Sequence, residues 1–344
     1  MPILKALAAA NRQLAELKGV CASIPNQNML VSTLGMQEAK DSSAIENIIT
    51  THDELFRDSL LEGGAGSPAA KEVLRYRQAL WVGFDAVQKA GMLTNNHILR
   101  IQAELEMNEA GFRTVPGTTL RNQRGEIVYT PPMPDRVVPM MSSLERFINE
   151  DRFDADPLIR MALVHHQFET IHPFYDGNGR TGRIINVLYL VKERLLDAPV
   201  LYMSRYIIRH KSEYYRLLQA VREEDAWEAW VVYMLTAVAE SARDGIGTVA
   251  AIRSLLLDYK HRIRRELPKI YSQDLINNIF SHPYTKIGFI ENDLGVSRLT
   301  ATKYLDKLTE SGFLVKRKVG RVSYYLNTAL FDILTGPGMA SSEA

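Results

Sequence analysis

The sequence predicts a mainly α-helical protein of at least two units, with a short β-hairpin inside the first and a small winged helix-turn-helix as the last. Three observations carry this. Apolar residues recur at helical spacing along most of the chain before Pro268. Two short β-prone runs interrupt that habit at Thr118–Leu120 and Glu126–Tyr129. After Ile270 the elements shorten and turn signals become denser, which places a boundary near residues 268–272. The 344 residues exceed what one compact domain usually holds.

The elements follow in order. Leu4–Lys18 puts Leu4, Leu7, Leu14 and Leu17 on one helical face. "EGGAGSPAA" (Glu62–Ala70) reads as a loop of small residues, and Ala69–Ala90 as a helix stopped by Gly91. Asn95–Glu109 opens after Thr94. The runs at Thr118–Leu120 and Glu126–Tyr129 flank the turn "RNQRG", and Pro131 and Pro132 end the second run because proline cannot donate to a ladder. By itself such a hairpin reads as a surface connector. Further helices are expected over Val137–Asn149, Pro157–Thr170, Ile184–Leu195, Glu213–Val221, Ala226–Ala242 and Thr248–Leu267. In the last unit, Ile287, Ile290 and Leu294 form a short apolar face ending at Gly295, and Arg298–Ser311 is the second helix of a helix-turn-helix. "LVKRKVGRVSYYL" then alternates like a hairpin turning at Val319–Gly320.

Composition narrows the function classes. Charged residues at 24% and hydrophobic ones at 46% are ordinary for a soluble globular chain. A net charge of +1 gives no global pull toward nucleic acid or membrane. Cys21 is the only cysteine, which excludes an intramolecular disulfide and a cysteine metal cluster. The opening residues lack a secretory pattern, and no window approaches the roughly 18 apolar residues of a bilayer span. A cytoplasmic location without membrane contact is the expectation.

The densest chemistry lies in "IHPFYDGNGRTGR" (Ile171–Arg183), an elbow between two core helices. Gly177 and Gly179 allow successive N–H groups to converge at a helix N-terminus, which is an anion site. Arg180 and Arg183 sit on that first turn, where their charges oppose the helix dipole unless an anion lies among them. A polyphosphate supplies that anion. Asp176 is a hard oxygen ligand suited to Mg²⁺ beside phosphates, and His172 is a candidate base for an attacking hydroxyl. The combination suggests transfer of a phosphorus-containing group to an alcohol. Of the two preceding histidines, His165 reads as core and His166 is open.

"HPFYDGNGRTGR" (His172–Arg183) resembles the signature of the Fic family, H-P-F-x-[D/E]-G-N-G-R-x-x-R, at every specified position. The likeness extends over roughly residues 30–245. It implies an all-helical core that transfers AMP from ATP-Mg²⁺ to a protein hydroxyl. On that pattern His172 deprotonates a target Tyr, Thr or Ser, and Asp176 holds Mg²⁺. The Gly177–Gly179 backbone and Asn178 cradle the α- and β-phosphates, Arg180 touches them, and Arg183 meets the γ-phosphate. Phe174 anchors the loop. The hairpin becomes a flap that pairs with an extended target segment through Thr118, Thr119, Leu120, Ile127 and Val128. "EYYRLL" is similar to the stretch lining the family's adenine pocket, which suggests Tyr214, Tyr215 and Leu218.

Upstream, "DSSAIENIIT" (Asp41–Thr50) reads physically as a capped amphipathic helix, with Ser42 as N-cap, Glu46 one turn in, and Ile45, Ile48 and Ile49 available for burial. "SSAIEN" resembles the family's inhibitory motif [S/T]-x-x-x-E-[G/N] at Ser42, Glu46 and Asn47. The resemblance implies that Glu46 pairs bidentately with Arg183 and denies it to the γ-phosphate. With the boundary near 268–272 and the likeness of the last unit to a winged helix, the expected division is an N-terminal helical region over 1–110 with the inhibitory helix at about 42–50, the catalytic core over 111–245, a linking helix over 246–271, the winged helix over 272–334 and a flexible tail over 335–344.

Several alternatives stay open. The winged helix is expected to meet DNA, through Arg298, Thr300, Thr302 and Lys303, or a protein, including a second copy of the chain. The protein substrate includes the chain itself as one option. The rivals to AMP transfer are a nucleotide-sensing DNA-binding regulator and a hydrolase that removes AMP using Glu46. Other relatives use other nucleotides or phosphocholine.

Overall fold

The computed structural model describes residues 1–24, 27–52, 54–55, 67–122, 124–150, 154–281, 283–319 and 322–335. Residues 62–66 of the small-residue loop, Gln123 of the hairpin turn, Gly320 and Arg321 of the wing, and the tail from 336 onward lie outside that set. Helices dominate the rest, with two small antiparallel sheets. None of the described helices is long and apolar enough to cross a membrane. The chain divides into two compact units.

The first unit comprises Met1–Lys18, Glu38–Ile49 and Glu72–Arg243. Its centre is the helix pair Pro157–Ile171 and Asn178–Lys192, buried at most positions of both. Their starts are set locally. Asp156 accepts a hydrogen bond from Leu158 N at 2.8 Å, with Pro157 in the first turn where its missing N–H costs nothing. Phe168, Phe174, Tyr189 and Trp230 are fully enclosed around the pair. Gly83 lets the Pro68–Ala90 helix approach, since a Cβ there would lie 2.5 Å from Leu188 Cδ1 and 2.8 Å from Ile101 Cδ1. Asn95–Glu106 is capped by Thr94, which accepts from His97 N at 3.3 Å. That helix stops at Met107 in a left-handed conformation, three residues before the expected end at Glu109.

The hairpin is shorter than expected. β1 (Leu120–Arg121) pairs antiparallel with β2 (Ile127–Tyr129), Leu120 facing Tyr129. Thr118 and Thr119 precede the first strand, so they are not ladder residues. Asn122 shapes the turn by accepting from the N–H groups of Arg124 at 2.9 Å and Glu126 at 3.0 Å.

The second unit comprises Gly19–Gln37, Thr50–Lys71 and Asp244–Ala344. Helices Gln273–Ser281, Ile287–Leu294 and Arg298–Glu310 surround a sheet of order β3-β5-β4, with β3 at Tyr284–Thr285, β4 at Val315–Val319 and β5 at Val322–Leu326. Gly295 takes φ 63° between the second and third helices, and Ser297 caps the third by accepting from Thr300 N at 3.3 Å. The turn-linked helix pair and the hairpin were expected from the sequence, whereas the helices Gln273–Ser281 and Thr328–Thr335 and strand β3 were not anticipated. Tyr259 anchors the core of this unit, its hydroxyl donating to Phe313 O at 3.1 Å and its ring edge meeting Phe280.

Two helix predictions need correction. Ala226–Ala242 and Thr248–Leu267 are one helix, Trp227–Glu266. Gly245 and Gly247 lie between the two expected helices, but each costs a helix only about 1 kcal/mol. Buried Ala239, Ala242, Val249 and Ile252 on either side carry the helix through. The second correction concerns Ser42, which does not begin a helix. A helix runs from Gln27 to Ile45, so Ser42 lies in its last turn and Glu46 just beyond its C-terminus. Asn47 there has φ 64°, and Ile49 is 78% exposed. Leu4, placed on the buried face of the first helix, is likewise 62% exposed.

The Gln27–Ile45 helix carries a buried carboxylate. Glu38 accepts from Tyr76 Oη at 3.1 Å, from Ser204 N at 3.2 Å and from Ser204 Oγ. Burial pushes its carboxyl up from 4.5 to about 7, the Ser204 bonds and Arg183 pulling it only partly back. The folded protein therefore keeps a proton that the unfolded chain releases between those pH values, and this group subtracts stability as pH rises through that window. Glu38→Gln removes the titration. Its melting temperature relative to the parent is expected to climb from pH 5 to pH 8, by the equivalent of on the order of 2–3 kcal/mol. A difference that stays constant across that range would contradict the assignment.

Candidate active site

The elbow is held by its own asparagine. Asn178 accepts from Phe174 N and donates to Phe174 O, both at 2.9 Å, closing the loop over the helix start. Its side chain is therefore committed to the loop rather than open to a phosphate, which leaves only its backbone for the contact expected of Asn178. Phe174 is fully buried against Phe112 and Phe168, as its anchoring role requires. Gly177 is the N-cap at φ 78°, a conformation that disfavours a side chain. Asp176 is exposed at the mouth and accepts from Gly177 N at 2.7 Å through Oδ1. No group of three potential metal ligands exists among the described residues.

Carboxylates lie on the anion nest. A Cβ on Gly179 would stand 2.4 Å from Glu46 Oε1, and one on Gly177 would stand 2.4 Å from Glu106 Oε1. Both arginines of the turn are taken. Arg180 pairs with Glu72 at 2.9 Å and Glu106 at 2.8 Å, its side chain only 5% exposed. Arg183 donates from Nη2 to Glu46 Oε1 at 2.9 Å, from Nε to Ser42 Oγ at 2.8 Å and from Nη2 to Ser42 O at 3.0 Å. The expected bidentate pair is instead a single contact: Nη2 of Arg183 is shared between Glu46 and Ser42 O, and Nε meets Ser42 Oγ. Burial works to raise the Glu46 carboxyl, but Arg183, Arg180 and Lys211 outweigh it and hold it below the usual range.

The geometry of that helix end explains the contact. The last carbonyls of Gln27–Ile45 carry the negative pole of the helix dipole, and cations gather there. Arg183 takes Ser42 O, and Lys211 donates to Ile45 O and, at 3.4 Å, to Asn47 Oδ1. Arg205 donates to Asp41 Oδ2 at 3.1 Å.

His172 caps the preceding helix in a left-handed conformation, φ 48° and ψ 62°, which costs a non-glycine residue roughly 1–2 kcal/mol. Its Nδ1 is buried and lacks a hydrogen bond of ordinary geometry, the Glu169 carbonyl being the acceptor near the ring. Burial, then the charges of Arg113 and Arg222, lower its proton affinity to about 4, against small opposing effects from Glu46 and the Glu169 carbonyl. The imidazole is therefore neutral at physiological pH, the state a general base needs.

The remaining predicted residues divide. Tyr214 is buried with its hydroxyl 2.8 Å from His165 Nε2, and Leu218 is buried with its carbonyl 3.2 Å from His166 Nε2. Both belong to the core, so of the suggested adenine-pocket residues only Tyr215, 45% exposed, is available to a ligand. His166 is settled as core too, edge-on to Trp227 and Trp230. On the flap, Ile127 and Val128 are exposed at 53% and 44%. Sequence reasoning missed Glu72, Glu106, Arg113 and Arg222. All four belong to other segments far along the chain, and no spacing pattern tied them to the elbow.

Known proteins share parts of this sequence and its fold. Residues 4–85 match the profile described as Fic/DOC family N-terminal, residues 92–190 the Fic/DOC family, and residues 255–330 the C-terminal domain of protein adenylyltransferase SoFic-like proteins. The chain is similar to protein adenylyltransferase Fic of Culex quinquefasciatus, with 30% identity over 42% of this chain and 29% of that protein. It is 28% identical to protein adenylyltransferase fic-1 of Caenorhabditis briggsae, over 48% of this chain and 33% of the relative. The matches span a third or less of those relatives' length. Among solved structures, a Fic family protein from Desulfovibrio desulfuricans shares the fold at TM-score 0.58 and 21% identity, covering 94% of this chain and 95% of that one. A Caenorhabditis elegans Fic-1 fragment does so at TM-score 0.56 and 20% identity, over 72% of this chain and 74% of the fragment.

Proposed function

The chain belongs to the Fic/DOC family, and from that premise we infer that it is a protein adenylyltransferase, moving AMP from ATP to a hydroxyl side chain of a protein, with Glu46 as its brake. The observation that carries this reading is His172 at the mouth of a helix N-terminus whose Arg183 is occupied by Glu46 at 2.9 Å.

In the reaction His172 accepts the proton of the target hydroxyl as its oxygen bonds to the α-phosphorus, and pyrophosphate leaves. The N–H groups at Gly177–Gly179 receive the phosphates, and Arg183, once free, receives the terminal one. Asp176 suits Mg²⁺: a single exposed carboxylate beside a triphosphate matches an ion that keeps most of its waters. When bound, the ion neutralises phosphate charge. The flap offers Ile127 and Val128 to an extended target segment, and Tyr215 is the exposed aromatic for the adenine.

Incubation with ATP labelled at the α- or the γ-phosphate tests the reading. Label retained on protein from α-labelled ATP alone is the expected result, stronger in Glu46→Gly. Label from γ-labelled ATP alone would mean phosphorylation. No label from either, even in Glu46→Gly, would overturn the assignment.

A further inference from the structure

The residues on either side of the flap hold the catalytic loop by a set of contacts that the signature motif does not contain. Arg113, 2% exposed, precedes the flap. Its Nε donates to His172 O at 2.8 Å, its Nη2 to Ile171 O at 3.3 Å, and its own backbone N to Pro173 O at 2.8 Å. The same Nη2 donates to Pro132 O, on the far side of the flap. Its neighbours continue the splint: Phe112 packs on Phe174 with ring centroids 5.4 Å apart. Thr114 and Val115 donate their N–H groups to Tyr175 Oη at 2.9 and 3.1 Å. Each residue from 112 to 115 thus touches the stretch 171–175.

Two features need a reason. A buried guanidinium is costly, and the hydrogen bonds of this one all go to backbone carbonyls, with no carboxylate paired to it among the described residues. His172 meanwhile sits in a backbone conformation that a histidine does not choose. Three successive peptide groups, 171 to 173, are bonded by one residue across that strained position. A rigid planar fork can meet carbonyls pointing in different directions, which a lysine ammonium cannot do with the same geometry.

We propose that Arg113 is the positioning residue for the base: it fixes the left-handed backbone at His172 and ties both sides of the flap to it, so that a target segment docked on the flap meets a base already aimed. The charge acts with the geometry. Arg113 and Arg222 are the cations facing His172, Glu46 is the opposing carboxylate, and the Glu169 carbonyl is the neighbouring acceptor. Arg222 forms a second strut, its guanidinium 3.7 Å from the Tyr129 ring centroid and its Nε donating to Thr170 Oγ1 at 3.3 Å. Tyr129 itself donates to Thr170 O at 2.9 Å.

This inference rests on the AMP-transfer reading for its kinetics but not for its spectroscopy. The test uses Arg113→Lys and Arg113→Met in the full-length Glu46→Gly chain. Selective histidine labelling follows the ring of His172 by NMR from pH 5 to 8, with His172→Gln assigning its signal among the eight histidines. Arg113→Lys keeps the charge and loses the fork. It is expected to lower kcat about 10- to 100-fold, the range of a misplaced reacting group. KM for ATP should stay within about twofold, with His172 still neutral throughout. Arg113→Met also loses the charge, and His172 is expected to carry more of the protonated form at pH 5 than it does in the parent.

If Arg113→Met does not fold, the lysine variant decides alone. Unchanged kcat with only a lowered melting temperature would make Arg113 a simple structural support and overturn the proposal. Equal losses in kcat and ATP affinity would overturn it as well, as would a folded Arg113→Met whose His172 titration matches the parent. Should no variant transfer AMP, the functional reading fails while the His172 titration still decides the role of Arg113.

Discussion

Glu46→Gly is expected to raise AMP transfer from ATP on the order of 100-fold, measured as α-label retained on a target or on the chain itself. The figure follows from what the contact does to geometry. Arg183 has one guanidinium, and Glu46 takes an arm of it at 2.9 Å. A γ-phosphate arriving at the nest loses that partner and faces a carboxylate instead, so the triphosphate is carried off the in-line path. A displacement of about 1 Å at a reacting centre costs about 10²-fold. The side chain of Glu46 is 36% exposed while that of Arg183 is 2% exposed. The carboxylate can therefore swing outward, while Arg183 stays held by Ser42 Oγ and O, ready for phosphate. Because Glu46 has its proton affinity lowered, the contact persists above 4.5 and weakens only as pH falls below that. Mild acidification between pH 8 and 5 should leave the parent repressed. A Glu46→Gly protein no more active than its parent would remove the brake from the account.

What the sequence made legible follows from how local each feature is. The elbow was readable because the chemistry proposed for it draws on His172, Asp176, Gly177, Gly179, Arg180 and Arg183 around one helix start, so spacing alone exposes it. The helix bearing the brake was not. Gln27–Ile45 buries Met29, Leu30, Val31, Leu34, Met36, Thr33, Gln37, Glu38, Ser42 and Ser43. With side chains covered on every face there is no 3.6-residue stripe to detect. Ser42 imitates an N-cap because serine's preference for helix ends is a matter of hydrogen bonding, and here the bond comes from Arg183 instead. Glu72, Glu106, Arg113 and Arg222 are charges whose partners lie across the fold, and a single sequence leaves such pairings unmarked.

His172→Ala is the substitution with the largest expected loss: a fall of about 10²–10⁴-fold in AMP transfer, the usual worth of a positioned base. ATP binding to the Glu46→Gly form should persist, since the phosphates rest on Gly177–Gly179, Arg180 and Arg183 rather than on the imidazole. The pH profile separates this role from a structural one. An ordinary histidine, near 6.5, would halve the active fraction around that pH. Burial with Arg113 and Arg222 lowers this one to about 4, so it stays deprotonated above that value and takes up its proton only as pH falls through it. The kcat/KM of Glu46→Gly should thus show no histidine-like step between pH 5 and 8. Removing Glu46 also removes an influence that raises the affinity of His172 for a proton, which pushes the step further down. Releasing the brake therefore frees Arg183 for the nucleotide and makes the base more securely neutral, both by withdrawing one negative charge. A clear inflection near 6.5 in that profile would mean that His172 is solvated in the working enzyme, and that the cations around it serve the fold alone.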